Sequence, residues 1–213
     1  MECCKGGGII DLLNQRLRDR LSEREILQIF TDVCEAVAAM HSMEPRPLLH
    51  RDLKIENVLS APGAPTKERP QGWNFKLCDF GSTTYPSTHP PTSLAESEAL
   101  ALDINKHTTM QYRSPEMVEP MLGHPVGLPS DVWALGVLLY KLCYYTTPFE
   151  TQGPLAIVHA KYEFPPYPKY SPALQHLIAQ MLMEHPSQRL SVFQVLEVAH
   201  DLNGTRPSVD YVS

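Results

Sequence analysis

No run of lysine and arginine occurs in the 213 residues, and acidic side chains outnumber basic ones, 24 to 18, for a net charge of -6. A chain of that charge does not track a nucleic-acid backbone, so nucleic acid is set aside as a partner. Long apolar runs are missing too. The most apolar stretch, residues 132–145, is interrupted by Lys141 and is too short to cross a bilayer, so it reads as a buried core helix. The five cysteines, Cys3, Cys4, Cys34, Cys78 and Cys143, are odd in number and lack metal-ligand spacing, which argues for buried thiols in a reducing compartment. No apolar stretch ending in a small-residue cleavage site follows Met1, so no secretory signal is expected and the cytoplasm is the default compartment.

What is there is 43% hydrophobic and 20% charged, ordinary for a globular protein and enough for one good core or two small ones. Ser22 and Glu25 have capping-box spacing. Ile26, Ile29, Phe30, Val33, Val37 and Met40 then recur at three and four residues, which predicts an amphipathic helix ending near His41. A shorter helix is expected over residues 9–17. Gly6, Gly7 and Gly8 before it read as a flexible lead-in, because no Lys and Ser or Thr follow to complete a phosphate loop. Pro45 and Pro47 stop the long helix, and residues 58–59 and 75–77 suggest two short strands joined by a Pro-, Gly- and Ala-rich surface loop. Residues 82–107 lack clear periodicity and read as a second long loop. Helices resume over residues 132–145, 174–184 and about 192–202.

The chemistry lies in His50, Arg51, Asp52, Leu53, Lys54, Ile55, Glu56 and Asn57, followed by Asp79, Phe80 and Gly81. Passing a phosphoryl group between oxygens requires a carboxylate for the incoming hydroxyl and oxygen ligands for the magnesium that accompanies ATP. Asp52 suits the first task, accepting the hydroxyl proton or orienting the hydroxyl, with Lys54 neutralising charge that builds on the transferred group. Asn57 and Asp79 are the candidate magnesium ligands; Phe80 is expected to pack inward and Gly81 to supply the turn. Singly, each residue reads as a turn former or a solvated side chain. Their order and separation point to catalysis.

These motifs resemble those of the protein kinases. Thr109, Tyr112, Ser114, Pro115 and Glu116 are similar to the end of an activation segment, and Asp131, Trp133, Gly136 and Arg189 to the pattern of the large lobe. Residues 1–8, then 13–17, 77–82, 133–136 and 139–144, are similar to the Numb-associated kinases, a family that includes the fungal actin-regulating kinases. The resemblance implies a protein-kinase-like α+β fold. Residues 1–203 would be a partial kinase domain, the hinge plus a mainly helical large lobe with a small β-hairpin, and residues 204–213 a short tail. It implies a catalytic set of Asp52, Lys54, Asn57 and Thr109, with Lys54 as the mark of a serine/threonine enzyme. The backbone of Glu2 and Cys4 would meet the adenine of ATP, Leu59 would lie beneath it, and Cys78, read as a packing residue, would be close to the phosphates. It implies further a buried Glu116–Arg189 ion pair and an Asp131 that holds the catalytic-loop backbone. Ser82, Thr83, Thr84, Ser87, Thr88, Thr92 and Ser93 are candidate phosphorylation sites that would pair with Arg51. ATP and Mg2+ are the implied cofactors. Endocytic adaptors or regulators of cortical actin are the implied substrates, met in the cytoplasm, at the cell cortex or at endocytic sites.

A kinase also needs a Gly-rich loop over the phosphates, a strand lysine that holds them and a helix glutamate that pairs with the lysine. None is in this sequence, and Met1 falls where the resemblance puts the residue just before the hinge. The small lobe is therefore expected to be missing, and the 213 residues to have little turnover by themselves. Two functions remain, a fragment of an active serine/threonine kinase and a lobe that binds proteins without catalysis. The retention of Asp52, Lys54, Asn57 and Asp79 favours the first.

Overall fold

A computed structural model describes residues 4–209 and residue 211. Two helices carry its core. In α2 (Glu23–His41) the Ser22 side chain accepts from the Glu25 amide while the Glu25 carboxylate accepts from the Ser22 amide at 2.7 Å, so the capping box forms as the spacing predicts. The apolar face of this helix, Ile26, Ile29, Phe30, Val33 and Val37, is fully buried. Helix α5 (Leu128–Tyr144) buries 14 of its 17 residues, too many for a surface helix, and runs through the centre of the molecule. Gly136 makes this possible. A Cβ at that position would sit 2.9 Å from Met181 Cβ and from Leu182 Cδ2, so α5 reaches α7 (Pro172–Met181) only where no side chain intervenes. Each fully buried Leu, Val or Ile of this core contributes about 1.5–3 kcal/mol.

Packed on α2 is a two-stranded antiparallel sheet, β1 (Val58–Pro62) and β2 (Trp73–Leu77), in the register Val58 opposite Leu77 and Pro62 opposite Trp73. One step beyond Leu77, the Cys78 amide donates to the Asn57 carbonyl at 2.9 Å, which sets Asn57 and Asp79 side by side at one end of the hairpin. The leading glycines are fixed in place, against the expectation of a flexible lead-in. The Gly6 amide donates to Ser60 O at 3.0 Å and the Ser60 amide to Gly7 O at 2.8 Å, and a Cβ on Gly6 would lie 2.6 Å from Ser60 Cβ and from Trp73 Cζ3. Only glycine lets this strand-like segment lie against β1. Helix α1 (Ile9–Gln15) follows directly.

Residues 82–107 are not one long loop. They contain α3 (Leu94–His107), capped by Ser93, whose side chain accepts from the Glu96 amide. Only Ser97 and Ile104 of this helix are buried, Ile104 in a small second core with Leu49, Met117 and Val126. A helix that buries so little shows no apolar stripe, which explains the missing periodicity. The short α4 (Pro115–Val118) and α6 (Pro154–Val158) and the final α8 (Val192–Asn203) complete the lobe, α8 lying along α2. No helix among the described residues is long and apolar enough to cross a membrane.

The implied Glu116–Arg189 pair is present and buried. Arg189 donates to both carboxylate oxygens, at 2.7 and 2.8 Å, and also to the carbonyls of Met183, Pro129 and Glu184, while Ser130 Oγ donates to Glu116 at 2.9 Å. The guanidinium lies 5.0 Å from the Trp133 ring centroid, and Trp133 stacks on Phe149. Burial pushes the Glu116 carboxyl up, but the hydrogen bonds and charge of Arg189 outweigh it and hold the group below the ordinary glutamate value. A carboxyl depressed in the folded state stabilises the fold above its unfolded pKa, about 4.3, and loses that contribution as the pH falls further, through the folded value. Arg189→Met should cost about 3–5 kcal/mol at neutral pH, because it strands a buried charge. Adding Glu116→Gln should recover much of this and flatten the fall in stability below about pH 4.3. Urea unfolding across the acidic range measures both effects, and equal acid slopes in wild type and double variant would contradict them.

Candidate active site

The catalytic loop is hung from the N-terminal turn of α5. Asp131, 1% exposed, accepts the amides of His50 at 2.8 Å and Arg51 at 3.0 Å, and His41 Nε2 at 3.1 Å, which places it where the resemblance implied. Arg51 has a left-handed backbone, φ 68°, a conformation that costs a residue other than glycine about 1–3 kcal/mol. The two amides gripped by Asp131 hold the chain in that bend, and the bend presents Asp52.

Asp52, Lys54 and Thr109 form a closed triangle. Thr109 Oγ1 donates to Asp52 Oδ1 at 2.7 Å, Lys54 Nζ lies 2.8 Å from Asp52 Oδ2, and Lys54 Nζ donates to Thr109 Oγ1 at 3.0 Å. Asn57 Nδ2 donates to the Asp52 carbonyl at 2.8 Å and reaches Asp52 Oδ2 at 3.5 Å. Burial pushes the Asp52 carboxyl up, while Lys54, Thr109 and Asn57 together bring it below the ordinary aspartate value. It is therefore a carboxylate at neutral pH, able to accept and orient a hydroxyl, with an ammonium beside it to meet developing negative charge.

With its nitrogen committed to Asp52, the Asn57 side chain offers a cation its carboxamide oxygen. Asp79, two residues past the end of β2, is exposed, and among the described residues its carboxylate makes only a long 3.4 Å contact with the Gly81 amide. An amide oxygen and a free carboxylate form a hard donor set, which fits magnesium, an ion commonly held by one or two carboxylates together with substrate phosphates. Among the described residues no three His, Cys, Asp or Glu side chains gather into a metal cluster. Leu59 is half-buried on β1, and its partner across an isolated bridge is Gly8, so the segment from Cys4 runs next to it. Cys78 is half-buried, its thiol pushed up by burial and then by the Asp79 carboxylate and Cys4, as suits a packing residue and not a nucleophile. Glu2 lies outside the described residues.

Phe80 does not pack inward. It is 54% exposed and sets its ring edge-on to His50 at 5.4 Å, because Asp79 takes a left-handed conformation, φ 62° and ψ 71°, that turns the next side chain outward. His50, whose Nε2 meets the Cys78 carbonyl at 3.1 Å, thus joins the catalytic loop to the Asp79 turn. Arg51 is already occupied: it reaches Asp103 Oδ2 of α3 at 2.5 Å and donates to Ser82 O at 2.7 Å. Sequence reasoning missed Asp103 with the helix that carries it. The Ser93 to Glu96 capping spacing was the signal available.

The family model for the protein kinase domain matches residues 1–200. Actin-regulating kinase 1 of Saccharomyces cerevisiae is 50% identical over 92% of this chain, and the protein kinase domain-containing protein ppk38 of Schizosaccharomyces pombe 53% identical over 91%. Serine/threonine-protein kinase ppk30 of Schizosaccharomyces pombe is 49% identical over 96%. The chain belongs to the protein kinases, in the family of the Numb-associated and fungal actin-regulating kinases. It spans 28%, 29% and 20% of the lengths of ppk38, actin-regulating kinase 1 and ppk30.

Removing Lys54 takes away a hydrogen bond and a charge that lower the Asp52 pKa and leaves burial in place. In Lys54→Met the titration midpoint of the Asp52 carboxyl, followed by carbon-13 NMR, should move up. A midpoint that stays put would remove Lys54 from the electrostatics of the site.

Proposed function

We propose that this chain is the large-lobe part of a serine/threonine protein kinase that transfers the γ-phosphoryl group of ATP to hydroxyls of protein substrates. The observation that carries the reading is the Asp52–Lys54–Thr109 triangle. Asp52, ionised and held at a fixed bend, accepts the hydrogen bond of the incoming hydroxyl and aims its oxygen. Lys54 faces the charge that grows on the transferred oxygens, and Thr109 fixes the spacing of the two side chains. Asn57 and Asp79 would hold magnesium, which when bound neutralises the phosphate oxygens. Cys4, Leu59 and Cys78 would line the nucleotide side of the hairpin, with Glu2 in the same segment. A lobe that bound proteins without catalysis would have no use for a lysine and a threonine clasped on one carboxylate.

Relatives named actin-regulating kinases support substrates among actin regulators, and endocytic adaptors are the finer proposal by family resemblance. The cytoplasm, near cortical actin or endocytic sites, is the compartment that follows. Residues 1–203 are proposed as the partial kinase domain and 204–213 as a tail. The Gly-rich loop and strand lysine are not among the 213 residues, so these residues alone are proposed to turn over slowly.

Asp52→Asn, made in the full-length protein and assayed with labelled ATP and a mixed protein substrate, should lower transfer by orders of magnitude with an unchanged melting temperature. The wild-type product should carry phosphoserine and phosphothreonine. Undiminished transfer by the variant, or phosphotyrosine as the main product, would overturn the assignment.

A further inference from the structure

Past the end of α8 the chain turns back onto α2. Thr205 is fixed to α8, its amide donating to the His200 carbonyl at 3.0 Å and its hydroxyl lying 2.7 Å from His200 Nδ1. Three residues on, Ser208 is exposed and outside any helix or strand, and both of its donors meet one carboxylate. Its amide donates to Glu35 Oε1 at 2.8 Å and its hydroxyl to Glu35 Oε2. The Tyr211 hydroxyl donates to the Glu35 carbonyl at 3.3 Å, while its ring lies 5.5 Å from that of Phe193 in α8. Glu35 of α2 therefore accepts three hydrogen bonds from this segment.

A cleft of about 920 Å³ opens beside the segment, with Asp32, Glu35, Arg69, His200, Ser208 and Tyr211 among its walls. Arg69 donates to both carboxylate oxygens of Asp32, so its charge is already matched there. His200 Nε2 lies 3.4 Å from Glu35 Oε1, yet burial holds the imidazole below its ordinary value against the pull of Glu35. The ring is neutral at pH 7 and leaves the Glu35 charge in place. Arg206, two residues before Ser208, is exposed and belongs to the segment, so it moves with the segment and does not hold it down. A second anion on the Ser208 oxygen would meet the Glu35 carboxylate directly, and the hydroxyl proton that bonds to that carboxylate would be gone.

We propose that Ser208 is a phosphorylation site read by Glu35: the unmodified hydroxyl latches the segment to α2, and phosphoserine releases it and uncovers the cleft. The phosphoryl donor is ATP held by a second copy of the kinase, so the proposal deepens the kinase reading above and rests on it for the donor. The Ser208 oxygen forms a bond to the γ-phosphorus of ATP, the bond from that phosphorus to the β–γ bridging oxygen breaks, ADP leaves, and the hydroxyl proton passes to Asp52 of the donor copy. Transfer between copies follows from the short tether. Three residues from Thr205, about 10 Å at full stretch, keep Ser208 beside the end of α8, whose neighbours are α2 and α7. Phosphoserine carries close to two negative charges at pH 7, which repel a carboxylate at contact distance.

The test uses the full-length protein with serine or phosphoserine placed at position 208 during synthesis, each with Glu35 and with Glu35→Lys. With Glu35 in place, phosphoserine should lower the protection of the Ser208 amide against hydrogen exchange about tenfold or more, the effect of losing a hydrogen bond to a charged acceptor. The Thr205 amide and those of α2 should keep their protection. In Glu35→Lys the order should reverse, the serine form being loose and the phosphoserine form held by the introduced ammonium. Protection of Ser208 that phosphoserine leaves unchanged or raises with Glu35 in place, as when Arg69 or Lys76 captures the phosphate, would overturn the latch. Wild-type enzyme incubated with magnesium ATP and the Asp52→Asn protein should place phosphate on Ser208 of that variant, located by mass spectrometry. Transfer to a mixed protein substrate with none to Ser208 would overturn the site and leave the kinase reading standing. Transfer to neither would sink the kinase reading and the second copy as donor together, and the exchange comparison would still decide the latch.

Discussion

One buried carboxylate organises this lobe. Asp131 takes two consecutive backbone amides, His50 and Arg51, and the ring of His41, and so joins the first turn of α5, the end of α2 and the catalytic loop. Peptide amides are strong donors, and a buried carboxylate that accepts several is worth more than a surface ion pair, which contributes about 0–1 kcal/mol. The stabilisation is spent locally on the left-handed bend at Arg51. That bend is what turns Asp52 away from the core and toward Lys54 and Thr109. Without a fixed α5 beneath it, the loop would have no reason to keep this shape, and α5 is fixed because nearly all of its surface is buried.

The activation segment depends on the same frame at both ends. It leaves the hairpin through Asp79, joined to the catalytic loop by His50, and returns through Glu116, joined by Arg189 to Trp133 and to the turn before α8. Between these anchors lies α3, with little core of its own and a grip that is mainly polar. The division has a physical logic. Apolar burial sets the large helices, which need not move, whereas hydrogen bonds and ion pairs set the parts near the chemistry, where direction and charge matter more than contact area.

Local rules were enough for much of the fold. The capping box and three-four repeat of α2, the apolar run of α5 and the two short strands all announce themselves in the sequence and form close to where they are expected. The candidate catalytic residues were legible because spacing and order carry information that single residues lack, and the structure brings Asp52, Lys54, Asn57 and Thr109 together. What escaped was set by tertiary context. Helix α3 hid because it buries two residues, Gly6 because its need for space comes from Ser60 and Trp73 far along the chain, and the outward turn of Phe80 because it follows from the backbone of Asp79. The pairing of Arg51 with Asp103 could not be read from separation along the chain, since the two stand 52 positions apart and the intervening helix was itself unseen.

Asp52 should work only while Asp131 holds the loop behind it. The single-turnover rate of phosphoryl transfer by Asp131→Ala in the full-length protein tests this most directly. A loop freed to shift by about an ångström should transfer about a hundredfold more slowly than wild type. A folded Asp131→Ala protein that transfers at the wild-type rate would contradict the account.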